Sequence, residues 1–155
     1  MYFKKIDLNH VNATTLERSL RKVTSKRLSP LDFNSSVTDG KEQMLFLGYE
    51  KTNELQFTRI KYPFELLLPE LIVSVAKSKQ PTASYKIRLG LGSILIIGII
   101  LASSIYGLYQ LALGEAFVKN MSRIFIFPAL FFLLLKVELK LTQKNITKAL
   151  EQQVV

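Results

Sequence analysis

The chain contains no cysteine. That excludes disulfides, zinc–thiolate sites, iron–sulfur clusters and cysteine nucleophiles together. It has one histidine, His10, in the polar stretch Leu8-Asn9-His10-Val11-Asn12. No other ligand is spaced near it, so a loop histidine is expected there rather than a metal ligand or catalytic base. There is no glycine-rich phosphate loop, no HExxH, no GxSxG and no pair of carboxylates among neighbours that would tune it. Gly90-x-Gly92 is not a nucleotide fingerprint, because apolar sequence follows it and no βαβ unit surrounds it. These absences lead to the expectation of a protein that is not an enzyme and carries no cofactor. Acids are also scarce, 12 against 21 Lys and Arg, for a net charge of +9. That balance suits an anionic membrane surface or a nucleic acid.

Charge of either sign is missing altogether from Leu89 to Leu113, a run of 25 residues. As a helix this run reaches about 37 Å, enough to cross a hydrocarbon core of about 30 Å with some tilt. In water it would be apolar on every side. A transmembrane helix is therefore expected at about 89–113. A second apolar run, Ile124 to Leu135, is too short to cross unaided, at about 18 Å. Extended to about 117–139 it spans if Lys119 and Arg123 lift their charges to the interface, with Pro128 as a kink. The expectation is an antiparallel two-helix hairpin over 89–139. The first ten residues, MYFKKIDLNH, do not read as a signal peptide, since no apolar core follows the two lysines. Insertion is thus expected to depend on the internal helices.

The first 88 residues read as a small α+β domain. Tyr2, Phe3 and Ile6 alternate weakly and suit a short edge strand. Thr14-Thr15-Leu16-Glu17 matches a capping box, and Leu16, Leu20 and Val23 form an apolar stripe, so a helix is expected at about Thr14 to Lys26. A polar loop, Ser29 to Lys41, follows. Residues 43–49, 55–62, 71–76 and 84–89 read as strands. The clearest is the last, in which Tyr85, Ile87 and Leu89 alternate with Ser84, Lys86 and Arg88. Pro63 and Pro69 bracket FELLL, read as a connector or a single helical turn. The expected fold is one helix on an antiparallel meander of about four strands, then the hairpin, then a helical tail at 140–155 that either continues the second arm or folds back on the N-terminal domain. The fourth strand runs almost directly into the first membrane helix, with Gly90 and Gly92 as joints.

Basic residues near the helix ends set orientation. Lys77, Lys79, Lys86 and Arg88 precede the first helix, and Lys136, Lys140, Lys144 and Lys148 follow the second. The connection between them offers only Lys119 and Arg123. Lys86, Arg88, Lys136 and Lys140 are the expected anchors, with both termini cytoplasmic and the hairpin multi-pass in an inner membrane. Within the first helix, Gly98 with Ala102 and Ser103 with Gly107 form two small-xxx-small pairs that admit close helix approach. The second arm is their expected partner, with Phe125, Phe127, Phe131 and Phe132 filling the groove; self-association is the alternative.

The strongest surface feature is a basic ridge, Arg18, Arg21, Lys22, Lys26 and Arg27. Aromatic residues do not interleave with it, which disfavours nucleic acid. The runs Phe46-Leu47-Gly48, Phe57-Thr58-Arg59-Ile60, Phe64 and Pro69-Glu70-Leu71-Ile72 together resemble a pattern in bacterial membrane proteins that place a small α+β portion before two apolar helices and a charged tail. The resemblance covers about residues 43–140 and implies that architecture, but no activity. The function expected is a non-catalytic, membrane-anchored accessory or assembly subunit whose cytoplasmic domain binds a protein partner. The alternatives are a sensor of anionic lipid and a small oligomeric pore or transporter component.

Overall fold

The computed structural model describes residues 3–8, 11–33, 44–77, 82–114 and 117–152. His10, the turn at 78–81 and most of the 29–41 loop lie outside the described residues. In chain order the elements are β1 (Lys4–Leu8), α1 (Ala13–Lys22), β2 (Thr24–Arg27), β3 (Phe46–Glu50), β4 (Glu54–Arg59), β5 (Leu71–Ala76), β6 (Ala83–Leu89), α2 (Leu91–Ala112), α3 (Phe117–Met121) and α4 (Phe127–Glu151). Short 3-10 turns cover Leu31–Phe33 and Pro63–Glu65.

Alternation of apolar and polar side chains builds a single sheet in the order β1-β6-β5-β4-β3-β2. Ala83, Tyr85 and Ile87 of β6 point to one face with Val73 and Val75 of β5 and Leu55 and Phe57 of β4. That face carries the main core. Leu31 covers Leu47 and Ile72 on the other. The fold class is α+β, as expected, but the sheet has six strands and is mixed. β1 is the edge strand anticipated from its weak alternation. β2 was not anticipated, because its residues were assigned to the helix. α1 ends at Lys22, and the chain then straightens to pair β2 parallel with β3, Thr24 opposite Phe46 and Arg27 opposite Tyr49. The Leu45 and Phe46 N–H groups both donate to the Val23 carbonyl, which fixes that change of direction. The capping box is not used either. Asn12 holds the N-cap position without a side-chain bond, and Glu17 pairs with Arg21 at 3.0 Å.

Over its described residues the 140–155 tail is helical, and it both continues the second arm and folds back on the N-terminal domain. α4 runs unbroken to Glu151 and carries one buried stripe, Phe131, Glu138, Thr142, Ile146 and Ala149. The spacing of seven, four, four and three keeps these residues on one side of the helix. Ile146 and Ala149 join Leu16 and Leu20 of α1 over the sheet. The residues assigned to a separate tail therefore close the core of the N-terminal domain.

The pairing register places Thr24, Phe46, Arg59, Leu71 and Leu89 in one row across the sheet. α2 leaves from this row and extends about 33 Å. Gly90 has an ordinary extended backbone, φ −68° and ψ 160°. It is not a flexible joint; a Cβ there would meet Glu70 Oε2 at 2.6 Å. At the far end the chain reverses at Gly114, whose φ of 87° favours glycine. It returns through α3, a π-helical turn at Ser122–Ile126, and α4. Pro128 lacks an N–H to continue the α ladder, and the Phe127 N–H donates instead to the Ser122 carbonyl. The irregularity at Pro128 is thus a π turn. The Ser104 hydroxyl of α2 lies 2.8 Å from the Arg123 carbonyl within that turn.

Of the four small residues expected to pack, Gly107 is buried, with Ile124 3.1 Å from where its Cβ would stand, and Ser103 is partly buried. Gly98 and Ala102 are exposed on the opposite side, so that pair does not hold the hairpin together. Of the four phenylalanines, Phe131 is buried and Phe125, Phe127 and Phe132 are exposed. Among the described residues α2 is the one helix long and apolar enough to cross a membrane, with 11% of its apolar window buried in the protein. The expected second span at 117–139 does not meet that description. It is divided between α3, the π turn and α4, and Lys136 and Glu138 lie in its last part. A multi-pass arrangement is therefore not supported by helix length and composition alone.

Candidate functional site

Two clusters stand out. The first lies where the sheet meets the hairpin. Arg59 is 4% exposed, on the core face of β4. Its guanidinium grips Glu138 of α4 with both arms, Nε to Oε1 at 3.2 Å and Nη2 to Oε2 at 2.7 Å. The third nitrogen, Nη1, holds Glu65 at 2.7 Å. Glu138 is 1% exposed. A bidentate pair of this kind fixes direction as well as charge. It ties α4 to the sheet at the row from which α2 departs. Burial raises the Glu65 carboxyl, but the Tyr62 N–H and Arg59 outweigh it and hold the group below its ordinary range.

Beside this pair, Lys61 is buried and its Nζ donates to the Leu68 carbonyl at 2.6 Å. Burial pulls its pKa down. Glu70 sits at the foot of α2, where its N–H donates to the Ser93 hydroxyl at 2.6 Å and its carbonyl accepts from the Gly90 N–H at 2.9 Å. Glu70 Oε1 is buried with no hydrogen-bond partner. Desolvation pushes this carboxyl up to about 7, against the pull of Lys61. In the unfolded chain the group titrates near 4.5. Between those values the folded protein keeps a proton that the unfolded chain has released, so the stability that Glu70 contributes is fully present below about 4.5 and is lost as pH rises through 7. Glu70→Gln is expected to remove that slope. Thermal unfolding in detergent between pH 5 and 7.5 tests this, and an identical slope in the variant would count against it.

The second cluster lies along the β2 edge of the sheet and gathers part of the basic ridge. Arg21, Lys26 and Arg27, with Leu28, Tyr49 and Glu50, rim a cavity of about 350 Å³ whose floor is Gly48, Leu55 and Phe57. Sequence spacing put these cations along one helix. The structure divides them, with Arg18, Arg21 and Lys22 on α1 and Lys26 and Arg27 on the edge strand β2. Arg21 is committed to ion pairs with Glu17 at 3.0 Å and Glu50 at 2.9 Å. Lys77 joins Glu50 at 2.9 Å. Arg21 and Lys77 together hold the Glu50 carboxyl well below its ordinary range. Lys26, Arg27 and Leu28 are exposed. Among the described residues β2 has β3 as its one neighbour, so its outer side is a sheet edge there. An apolar floor, a cationic rim and an adjoining strand edge suit an extended peptide with an apolar anchor and acidic flanks.

Of the expected topology anchors, Lys136 and Lys140 are exposed on α4. Arg88 forms a two-armed pair with Asp32, at 2.7 and 2.8 Å. Its hydrogen bonds lower the Asp32 pKa. Lys86 lies on the sheet face away from α1 and α4. Sequence reasoning assigned no site role to Arg59, Lys61, Glu65, Glu70 or Glu138. The signal available for Glu138 was its place in the stripe shared with Phe131, Thr142 and Ile146. Comparison with family models, with curated proteins and with solved structures returned no match.

Proposed function

We propose that this is a non-catalytic, integral membrane subunit whose domain presents the β2 edge and its cleft to a protein partner on the cytoplasmic side. One observation carries the reading: the apolar arm that leaves the sheet as α2 returns as α4 into the core of the same domain. Since α2 has little of its apolar surface covered, lipid is the natural solvent for it. The returning arm lies against α2, so a bilayer that accepts one accepts both. Arg123 stacks on Tyr106 at 5.4 Å near the distal end. From Leu91 to Tyr106 the apolar band is about 22 Å tall, which local thinning of the bilayer accommodates. Both termini then share the cytoplasmic side, as the distribution of Lys and Arg favours.

The cleft runs along the β2 edge, from Thr24 in the membrane-side row to Arg27 and Leu28 beyond it. Lys26 and Arg27 stand two and three residues beyond Thr24, so Arg27 is about 10 Å from the membrane-side row. That separation favours a partner protein over lipid headgroups for these residues. A pore gains little support, because Ser93, Ser104 and Gln110 of α2 are bonded within the chain.

The test is purification of the full chain from its native host in mild detergent, with a Lys26→Glu, Arg27→Glu double variant alongside. A stoichiometric partner lost from the variant, with membrane retention unchanged, is expected. Recovery of the wild-type chain alone as a monomer would overturn the proposal.

A further inference from the structure

We infer that the loop Tyr62–Leu68 is a third membrane element, buried in the acyl region of the leaflet beside the foot of the hairpin. The inference rests on the proposed membrane reading and adds that the domain itself enters the lipid. The segment Tyr-Pro-Phe-Glu-Leu-Leu-Leu turns four large side chains outward, Tyr62, Phe64, Leu66 and Leu67, with Phe64 80% and Leu67 83% exposed. Water is a poor solvent for such a patch. Glu65, the one charge in the loop, is turned inward onto Arg59.

The position of the loop names its solvent. Pro69 and Leu67 line a 200 Å³ groove with Ile96, Phe127, Leu130 and Leu134 of the hairpin. Ile96 is five residues beyond Leu91, about 7.5 Å along α2. Leu67 therefore reaches past the start of the apolar band, and its surface is continuous with that of the exposed Ile96, Phe127 and Leu130. The Glu70–Ser93 and Glu70–Gly90 bonds hold the loop at that depth.

Much of the loop backbone is hydrogen-bonded within the protein. Tyr62 N–H donates to Glu65 Oε2 at 3.0 Å, Glu65 N–H to the Tyr62 carbonyl at 2.8 Å, and Leu68 N–H to the Glu65 carbonyl at 3.0 Å. Leu66 N–H reaches the Pro63 carbonyl at 3.4 Å, Pro63 has no N–H, and the Leu68 carbonyl accepts from Lys61. Satisfying these N–H groups, those of Tyr62, Glu65, Leu66 and Leu68, within the protein lowers the cost of moving the loop into lipid. Tyr62 stacks on Phe64 at 5.9 Å, and its hydroxyl suits the headgroup level.

The chain contains no tryptophan, so a single introduced tryptophan reports without background. Full-length Phe64→Trp and Leu67→Trp are reconstituted into vesicles of phosphatidylcholine and phosphatidylglycerol, with and without bromine on the acyl chains. Ile99→Trp, on the outer surface of α2, and Leu28→Trp, at the remote end of the sheet, are the controls; both replaced side chains are exposed. Brominated lipid is expected to quench Phe64→Trp, Leu67→Trp and Ile99→Trp and to leave Leu28→Trp unchanged. Quenching of Ile99→Trp with none at positions 64 and 67 would overturn the loop insertion while leaving the membrane reading intact. No quenching at position 99 would overturn the membrane reading and the loop insertion with it.

Discussion

Arg59→Ala is expected to cost about 3–5 kcal/mol of stability, the usual loss when one member of a buried ion pair is removed. Arg59 satisfies Glu138 and Glu65 at once. Its loss leaves the Glu138 carboxylate with no comparable partner, far from water. Lys61, whose ammonium donates to the Leu68 carbonyl, feels the Glu138 charge but cannot reproduce a bidentate guanidinium. The pair itself is a different quantity. Desolvating two charges costs about as much as their attraction returns, so Arg59→Met with Glu138→Leu should be far milder than either single change. Thermal or denaturant unfolding of the three variants in the same detergent checks this. If the double variant is as unstable as Arg59→Ala, the ions are needed for more than mutual neutralisation. If Arg59→Ala is indistinguishable from wild type, the buried clamp is wrong.

Ending the chain after Leu139 is expected to abolish folding of the N-terminal domain, although the hairpin is left whole. Ile146 and Ala149 are buried with Leu16 and Leu20, and truncation would bare the α1 side of the sheet to water. A milder probe is Ile146→Ala, expected to cost about 2–5 kcal/mol through lost burial and the cavity left behind. Ile146→Asp should behave like the truncation, since Ile146 is 2% exposed in an apolar cluster where a carboxylate is costly to bury. Limited proteolysis of membranes holding each form gives the readout. Rapid cleavage within 1–88 of the truncated chain is the expected result, and a resistant domain would show that the tail is dispensable.

What was legible in the sequence, and what was not, follows from the range of the interactions. β6 was legible because its alternation is local: three apolar residues and three polar ones in strict sequence. α2 was legible from length and the absence of charge. β2 was hidden because Arg18, Lys22 and Lys26 keep helical spacing across the point where α1 stops. Only pairing with β3, some twenty residues on, makes Thr24–Arg27 a strand. The clamp was hidden for the same reason, since Arg59 and Glu138 are 79 residues apart. Each alone looks like an ordinary charge on a strand or near a helix end. The return of α4 into the core was legible only as one of two courses for the tail, because Glu138 and Thr142 interrupt an otherwise apolar stripe. The exposed loop at Tyr62–Leu68 was seen as a connector, and its meaning depends on where Leu67 lies relative to Ile96.

Alkaline extraction of membranes from cells making the full chain is the most direct measurement. An α2–α4 hairpin embedded in lipid keeps the chain in the membrane pellet, together with known integral proteins. Release of the intact chain into the supernatant, as a folded soluble species, would contradict a membrane-anchored platform.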